Sequence, residues 1–197
     1  MKSRYSVMAI GLHWLMAVLL VFMIWLGWNM GDLPRGETLS LFGAEMAAPA
    51  LYNLHKSLGI SILLLALLRL VLRVMDPPPA LPAGMKPWEE NLAKATHYGF
   101  YVLMIGIPVL GWALVSTSKF NGVPTLLFDA VPWPHIPGLV ALTGTAKSVV
   151  HGVAEFLHSK LVWVLIVLIV LHIAAALKHQ FLDRDNLMAR MLPFLRR

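Results

Sequence analysis

Four long apolar stretches, separated by polar and proline-rich segments, dominate the pattern along this chain. Each is long enough to cross the hydrocarbon core of a bilayer, which takes about 20 residues at a rise of about 1.5 Å per residue. The pattern therefore predicts four transmembrane helices, at about 8–30, 53–75, 95–117 and 155–179. We expect residues 1–197 to form a single all-α domain, an integral membrane four-helix bundle.

The segments between these stretches carry residues that end helices. In the first connection, a weakly amphipathic piece at 39–51 is expected to lie on the membrane surface. The second connection opens with prolines at 77–79, which end the preceding helix because proline lacks a backbone N–H. The last connection, 118–153, is interrupted by prolines and is expected to cover one mouth of the bundle. Segment 185–197 alternates apolar residues with arginines and is predicted to lie along the inner membrane surface.

Composition supports a membrane protein and restricts its chemistry. Hydrophobic residues make up 58% of the chain and charged residues only 13%, and the mean hydropathy is +0.72. Cysteine is absent, which excludes thiolate metal sites, iron–sulfur clusters, disulfides and covalently attached c-type haem. Histidine is therefore the expected holder of any cofactor. The net charge of +6 is better explained by membrane topology than by nucleic-acid binding.

The basic residues are distributed unequally between the two predicted faces. Of the 16 Lys and Arg residues, eleven fall on the face that bears both termini. They are Lys2, Arg4, Arg69, Arg73, Lys86, Lys94, Lys178, Arg184, Arg190, Arg196 and Arg197. The five on the opposite face are Arg35, Lys56, Lys119, Lys147 and Lys160. Because short basic segments are retained inside, both termini are predicted to be cytoplasmic.

Histidines at matched depths are the candidate ligands. An ionisable side chain within a span is costly, so each needs a partner or a function. His158 and His172 are 14 residues apart on the fourth helix, which places them on nearly the same face and about 21 Å apart. His13 lies toward the inner side of the first helix, and His55 toward the outer side of the second. The pattern predicts an inner haem iron between His13 and His172 and an outer one between His55 and His158.

Other assignments of the histidines remain open. Each could be an interfacial side chain that snorkels or bonds locally. His97 could compete with His13 for the inner iron, although contact with a haem propionate or a quinone suits it better. His151 and His179 lie on the ligand-bearing face of the fourth helix and remain second choices. His135 has no assigned role.

Two arginines near the inner end of the second helix are candidate cofactor contacts. Arg69 and Arg73 stand one helical turn apart and could neutralise haem propionates. The alternative is that they anchor the helix end at lipid headgroups.

Several stretches together resemble the bacterial cytochrome b561 family of small four-helix dihaem proteins, over nearly the whole chain. They are Tyr5-Ser6 with Leu12-His13-Trp14-Leu15, Leu54-His55-Lys56-Ser57-Leu58-Gly59-Ile60, Arg69-Leu70-Val71-Leu72-Arg73 with Pro77-Pro78, then His97, Pro108 and Gly111, and Leu171-His172-Ile173-Ala174-Ala175-Ala176-Leu177-Lys178-His179. In that family the first and second helices each supply one axial histidine and the fourth supplies two. Those positions map onto His13, His55, His158 and His172, the set that depth matching also gives. The loop 118–153 departs from the family pattern.

The resemblance implies quinone-linked electron transfer by two non-covalent haem b groups. One member of the family looks like a superoxide oxidase that passes electrons from periplasmic superoxide to ubiquinone. Four lysines at the outer mouth could steer such an anionic donor, or could simply be scattered solvated charges. They are Lys56, Lys119, Lys147 and Lys160.

The sequence therefore predicts a multi-pass cytochrome of the bacterial inner membrane that moves electrons between a periplasmic-side donor and the quinone pool. The donor would be superoxide, which makes the chain a superoxide:ubiquinone oxidoreductase, or a periplasmic redox protein. One alternative is a haem-bearing anchor subunit that links a periplasmic dehydrogenase or hydrogenase to quinone. Another is a colourless, histidine-lined transporter, although the chain lacks the repeats and broken helices common in transporters.

Overall fold

The chain folds into four long helices, each long and apolar enough to cross a membrane. The computed structural model describes residues 4–81, 84–119, 121–185 and 187–192. The helices are α1 (Val7–Asp32), α2 (Ala48–Met75), α3 (Pro87–Thr117) and α4 (Gly144–Lys178). This result confirms the predicted all-α membrane architecture. Within the described residues, α3 and α4 extend beyond the apolar stretches that predicted them.

Local chemistry explains where the helices begin and end. The Ser6 side chain accepts a hydrogen bond from the backbone N–H of Ala9, so it caps the start of α1. Helix α2 ends at Met75, and its C-cap residue Asp76 directly precedes the proline run. Helix α3 begins with a proline, and Glu89 in its first turn accepts a hydrogen bond from the backbone N–H of Lys86.

Consecutive helices pack against each other, α1 on α2, α2 on α3 and α3 on α4. Three of them contribute buried side chains to a central cluster. Its members are Leu12, Met16, Ile62, Ala66 and Met104. A second cluster joins α3 to α4 through Leu103, Ile107 and Leu165. Most other apolar side chains of the helices are exposed, as expected of surfaces that lipid solvates.

A short β-hairpin occupies the segment in which a surface-lying amphipathic piece was expected. Strands β1 (Thr38–Leu41) and β2 (Ala44–Ala47) pair antiparallel and are followed at once by α2. Phe42 and Gly43 turn the chain with φ of 51° and 84°. Segment 39–51 thus consists of a hairpin and the first turn of α2, where Pro49 sets the helical φ. Its position on the membrane surface stays a prediction.

The last connection contains a second hairpin that is docked on the helices. Strands β3 (Thr125–Leu127) and β4 (Val131–Trp133) pair antiparallel. At the hairpin tip, the backbone N–H of Phe128 donates to the hydroxyl of Ser57 on α2, at 2.8 Å. The Asn53 amide donates to the Asp129 carboxylate at 2.6 Å. The hairpin is thus fixed to one end of the bundle, which we call the hairpin mouth.

The opposite end, which we call the terminal mouth, gathers the two ends of the described chain. The Trp14 indole N–H donates to the carbonyl of Met191 at 3.1 Å. After α4 the chain continues as a π-helical turn (His179–Asp183) and a 3-10 turn (Leu187–Arg190). Residues 186 and 193–197 of the predicted surface segment lie outside the described residues, as do Lys2, Arg196 and Arg197. The cytoplasmic position of both termini stays a prediction.

Candidate functional site

Near the hairpin mouth, histidines of α2 and α4 face each other. The ring centroids of His55 and His158 are 6.2 Å apart, with planes inclined at 68°. The Nδ1–H of His158 donates to the carbonyl of Ile107 on α3, at 2.9 Å. A neutral imidazole whose Nδ1 carries the proton presents an unprotonated Nε2, which is the form that binds a metal. Helix α3 therefore orients His158 as a ligand.

Glycines on neighbouring helices make room for both rings. A Cβ on Gly111 of α3 would lie 3.1 Å from Cε1 of His158, closer than ordinary contact. A Cβ on Gly27 of α1 would lie 3.5 Å from Cε1 of His55, which is an ordinary van der Waals distance. All four helices thus contribute to the surroundings of this pair.

Near the terminal mouth, two histidines approach His172 of α4. His13 of α1 lies 6.2 Å from His172 between ring centroids, with planes inclined at 61°. His97 of α3 lies 5.7 Å from the same ring, inclined at 79°. Phe100 of α3 also contacts His172, with its ring centroid 5.4 Å away. The structure therefore brings together three predicted histidines here, rather than two.

Hydrogen bonds distinguish the two rings that approach His172. The Nδ1–H of His97 donates to the carbonyl of Ala93 at 2.7 Å, so Nε2 is unprotonated in the neutral ring. Arg69 donates to Nδ1 of His13 at 3.3 Å, so the proton of the neutral His13 ring is on Nε2. Arg69 thus lies beside a histidine of the terminal mouth, and Arg73 follows it one helical turn later on α2.

The ring separations can be compared with those of two imidazoles on one iron. A ligating imidazole nitrogen lies about 2 Å from a metal and about 1.2 Å from its own ring centroid. Two rings on opposite sides of one iron therefore have centroids about 6.4 Å apart. The 6.2 Å separations of His55–His158 and His13–His172 fit this value. The 5.7 Å separation of His97–His172 is shorter.

The other predicted histidines make local contacts. His151 hydrogen-bonds to the hydroxyl of Thr117 at 3.0 Å. His135 donates from Nε2 to the carbonyl of Val123 at 3.2 Å. His179 lies 2.7 Å from the carboxylate of Asp185.

Sequence reasoning missed two contributors to the hairpin-side pair. Gly27 had no motif around it, and the Ile107 carbonyl is a backbone group that any residue supplies. Pro108, the next residue, gives no signal for this contact, because the carbonyl that loses its helical donor is that of Met104, four residues before the proline.

Comparison with known proteins identifies the family of the chain. The family described as prokaryotic cytochrome b561 matches residues 4–194. The chain is similar to cytochrome b561 homolog 2 of Escherichia coli K12, with 35% identity over 96% of this chain and 92% of the relative. It is also similar to a probable superoxide oxidase, CybB, of Yersinia pestis, with 29% identity over 98% of both chains. Cytochrome b561 homolog 1 of Escherichia coli K12 is 25% identical, over 97% of this chain and 98% of the relative. The chain therefore belongs to the prokaryotic cytochrome b561 family, as a multi-pass, b-type haem electron-transfer protein of the bacterial inner membrane.

Proposed function

We propose that the chain binds two haem b groups, one between His55 and His158 and one between His13 and His172. The observation that carries this proposal is the equal ring separation of 6.2 Å in two histidine pairs at two levels of α4. Along α4 the two levels are about 21 Å apart. The same arrangement would form an electron path through most of the hydrocarbon core, which is about 30 Å thick.

At the hairpin mouth, the His158 ring is already oriented to bind a metal through Nε2 and need not rearrange. Its Nδ1–H is bonded to the Ile107 carbonyl, which fixes the ring orientation and raises the basicity of Nε2. His55 Nδ1 is buried and has no hydrogen-bond partner among the described residues. Bound haem supplies one-electron chemistry at its iron, while these residues hold the rings and exclude water.

At the terminal mouth, ligation by His13 requires a change of proton position. For Nε2 of His13 to bind a metal, its proton must move to Nδ1, which then no longer accepts from Arg69. The released guanidinium can pair with a haem propionate, the role predicted for Arg69 together with Arg73. We assign His97 a polar contact at this site, because its 5.7 Å ring separation fits two-sided ligation less well.

We infer that a quinone exchanges electrons with the haem near the terminal mouth. There His97 could pass a proton to the quinone only after its Nε2 has taken one up, because its Nδ1–H is bonded to the Ala93 carbonyl. If both termini are cytoplasmic, this mouth faces the cytoplasm and the hairpin mouth faces the periplasm. An electron donor would then act at the hairpin mouth.

A second candidate, narrower than electron transfer in general, is superoxide:ubiquinone oxidoreductase activity. It is favoured by the 29% identity to a protein described as a probable superoxide oxidase. Lysines predicted on the outer face could attract the superoxide anion electrostatically. One of them, Lys160, has its Nζ 5.9 Å from the ring centroid of Phe156. A periplasmic redox protein is the alternative donor, with the chain as its membrane anchor.

The haem assignment is tested by pyridine haemochrome quantification and reduced-minus-oxidised spectra of the purified protein. We expect two haem b in the wild type and one after replacing any proposed ligand with alanine. His151→Ala is the matched control, because it removes a histidine from the same face of α4 and should leave two haems. A colourless wild type, or loss of a haem in the control alone, would contradict the assignment.

The partners are tested separately on the two-haem protein. Stopped-flow reduction by superoxide, followed by oxidation with ubiquinone, would support the oxidoreductase activity. Reduction only in the presence of a co-purifying periplasmic dehydrogenase would support the anchor role instead.

A further inference from the structure

Two buried nitrogen atoms in the loop before α4 have no hydrogen-bond partner among the described residues. They are the indole Nε1 of Trp133 and the Nδ1 of His135. Buried polar groups are nearly always paired, so an unpaired one calls for a partner that the polypeptide does not supply. Two such atoms, two residues apart in one loop, make this loop a candidate binding position for a polar group.

The loop that carries these atoms is attached to α3 close to the hairpin-side histidine pair. The Trp133 ring packs on that of Trp112 on α3, with centroids 5.7 Å apart. The Trp112 indole N–H in turn donates to the carbonyl of Pro134 at 2.8 Å. Trp112 directly follows Gly111, at which an added Cβ would lie 3.1 Å from Cε1 of His158. The segment that carries both unpaired atoms is thus attached to α3 at the level of His158.

Two further hydrogen bonds hold the same loop against both helices. The buried hydroxyl of Ser116 accepts from the backbone N–H of Ile136 at 2.9 Å, next to His135. The buried hydroxyl of Ser57, two residues after His55, accepts from the backbone N–H of Phe128. Trp133 and His135 therefore lie in a segment that is fixed on the α2 side and on the α3 side of the pair.

The hydrogen-bonding capacity of the two atoms specifies the class of ligand. The indole N–H of Trp133 can only donate. His135 already donates from Nε2 to the carbonyl of Val123, and its Nδ1 donates as well when the ring is protonated. A carboxylate accepts from both and balances the charge of an imidazolium. A group that only donates would leave the Trp133 indole unpaired.

We propose that Trp133 and His135 bind a propionate of the haem held by His55 and His158. This inference rests on the two-haem proposal, since haem b carries two carboxylates and the loop with the unpaired atoms is attached to the helices close to one proposed haem site. It gives His135 a role that spacing along the sequence did not provide. A free carboxylate from solution is the other source of the same chemistry.

The test uses full-length holoprotein with Trp133→Phe or His135→Gln, which retain a ring or a polar side chain of similar size. The first readout is the propionate bending mode in resonance Raman spectra, which reports hydrogen bonding to the carboxylate. The second is the midpoint potential of the hairpin-side haem. We expect the bending mode of one haem to move to lower frequency in each variant, with two haems retained.

The potential is expected to fall in both variants, because an uncompensated propionate charge favours the ferric state. The expected change in the ferric–ferrous equilibrium is about three- to tenfold, where tenfold corresponds to about 59 mV. Trp28→Phe is the matched control. Trp28 packs on Trp163, with ring centroids 5.5 Å apart. The substitution therefore removes an indole N–H of α1 that lies outside the loop. Its bending modes and potentials should equal those of the wild type.

Different results would overturn different proposals. Two haems with unchanged bending modes and potentials in both variants would refute the propionate contact and leave the two-haem proposal intact. Fewer than two haems in the wild type would refute the two-haem proposal itself. A further result would be that added acetate changes the midpoint potential of the wild type and of neither variant, while the propionate bending modes are the same in all three proteins. In that case the site binds a free carboxylate, and the inference is wrong.

Discussion

A single added methyl group should distinguish the two glycines that abut the hairpin-side histidines. In Gly111→Ala the new Cβ would lie 3.1 Å from Cε1 and 3.4 Å from Nδ1 of His158. In Gly27→Ala it would lie 3.5 Å and 3.9 Å from the same atoms of His55. The first contact forces a ring to move by a few tenths of an ångström, whereas the second is ordinary packing.

The cost arises because His158 is held on one side by its hydrogen bond to Ile107, at 2.9 Å. Overpacking of this kind costs about 1–3 kcal/mol. That energy corresponds to a haem affinity about 5- to 150-fold weaker at the hairpin-side site. Both variants gain about 1 kcal/mol of helix propensity, so this gain cancels in their comparison.

The assay is transfer of haem from the purified protein to an excess of apomyoglobin, followed optically. We expect Gly111→Ala to release one of its two haems faster than the wild type, while Gly27→Ala releases both at wild-type rates. Equal release by both variants would refute the steric reasoning, as would faster release from Gly27→Ala alone. A redox titration of the remaining haem would identify the site that was lost.

Three further outcomes follow from the contacts. His97→Gln should retain both haems by pyridine haemochrome assay, whereas loss of one would make His97 a ligand. Ser57→Ala should remove the partner of the Phe128 N–H and destabilise hairpin docking by about 1–3 kcal/mol, seen as faster hydrogen exchange at the tip; unchanged exchange would contradict this. The hydrogen bond from Thr38 lowers the pKa of the exposed Glu45 carboxyl from its ordinary value of 4.5. The hydrogen bond therefore stabilises the first hairpin fully above pH 4.5, and this stabilisation is lost as the pH falls through the lowered pKa. Thr38→Val should raise that pKa in an NMR titration, and an unchanged value would exclude the hydroxyl as its cause.

The spacing of histidines predicted which side chains meet, because a helix has a fixed rise and rotation per residue. His158 and His172 had to lie on one face of α4, and the structure places a histidine of another helix against each. Spacing could not exclude His97, because whether α3 brings its ring to His172 depends on how the helices pack. The same limit applies to His135, whose surroundings are formed by a loop.

The two hairpins show where sequence reasoning was insufficient. Their strands have three or four residues each, and the tip residues Phe42 and Phe128 adopt positive φ without being glycine. Non-glycine residues rarely take this conformation, at a cost of about 1–2 kcal/mol, so they give no turn signal. At the second tip, the bonds from α2 that hold Phe128 and Asp129 stabilise it, and such bonds exist only after the helices have assembled.

The sequence by itself determined the four membrane-spanning helices, the absence of thiolate chemistry and the family. These follow from local properties, because lipid requires a long apolar helix whatever its neighbours are. Only the tertiary structure decided that Ile107 orients His158 and that a side chain at position 111 would press on the His158 ring. It also decided that Trp133 and His135 keep nitrogens without a hydrogen-bond partner among the described residues. Each of these depends on atoms distant in sequence approaching within a few ångströms, which spacing along one helix does not specify.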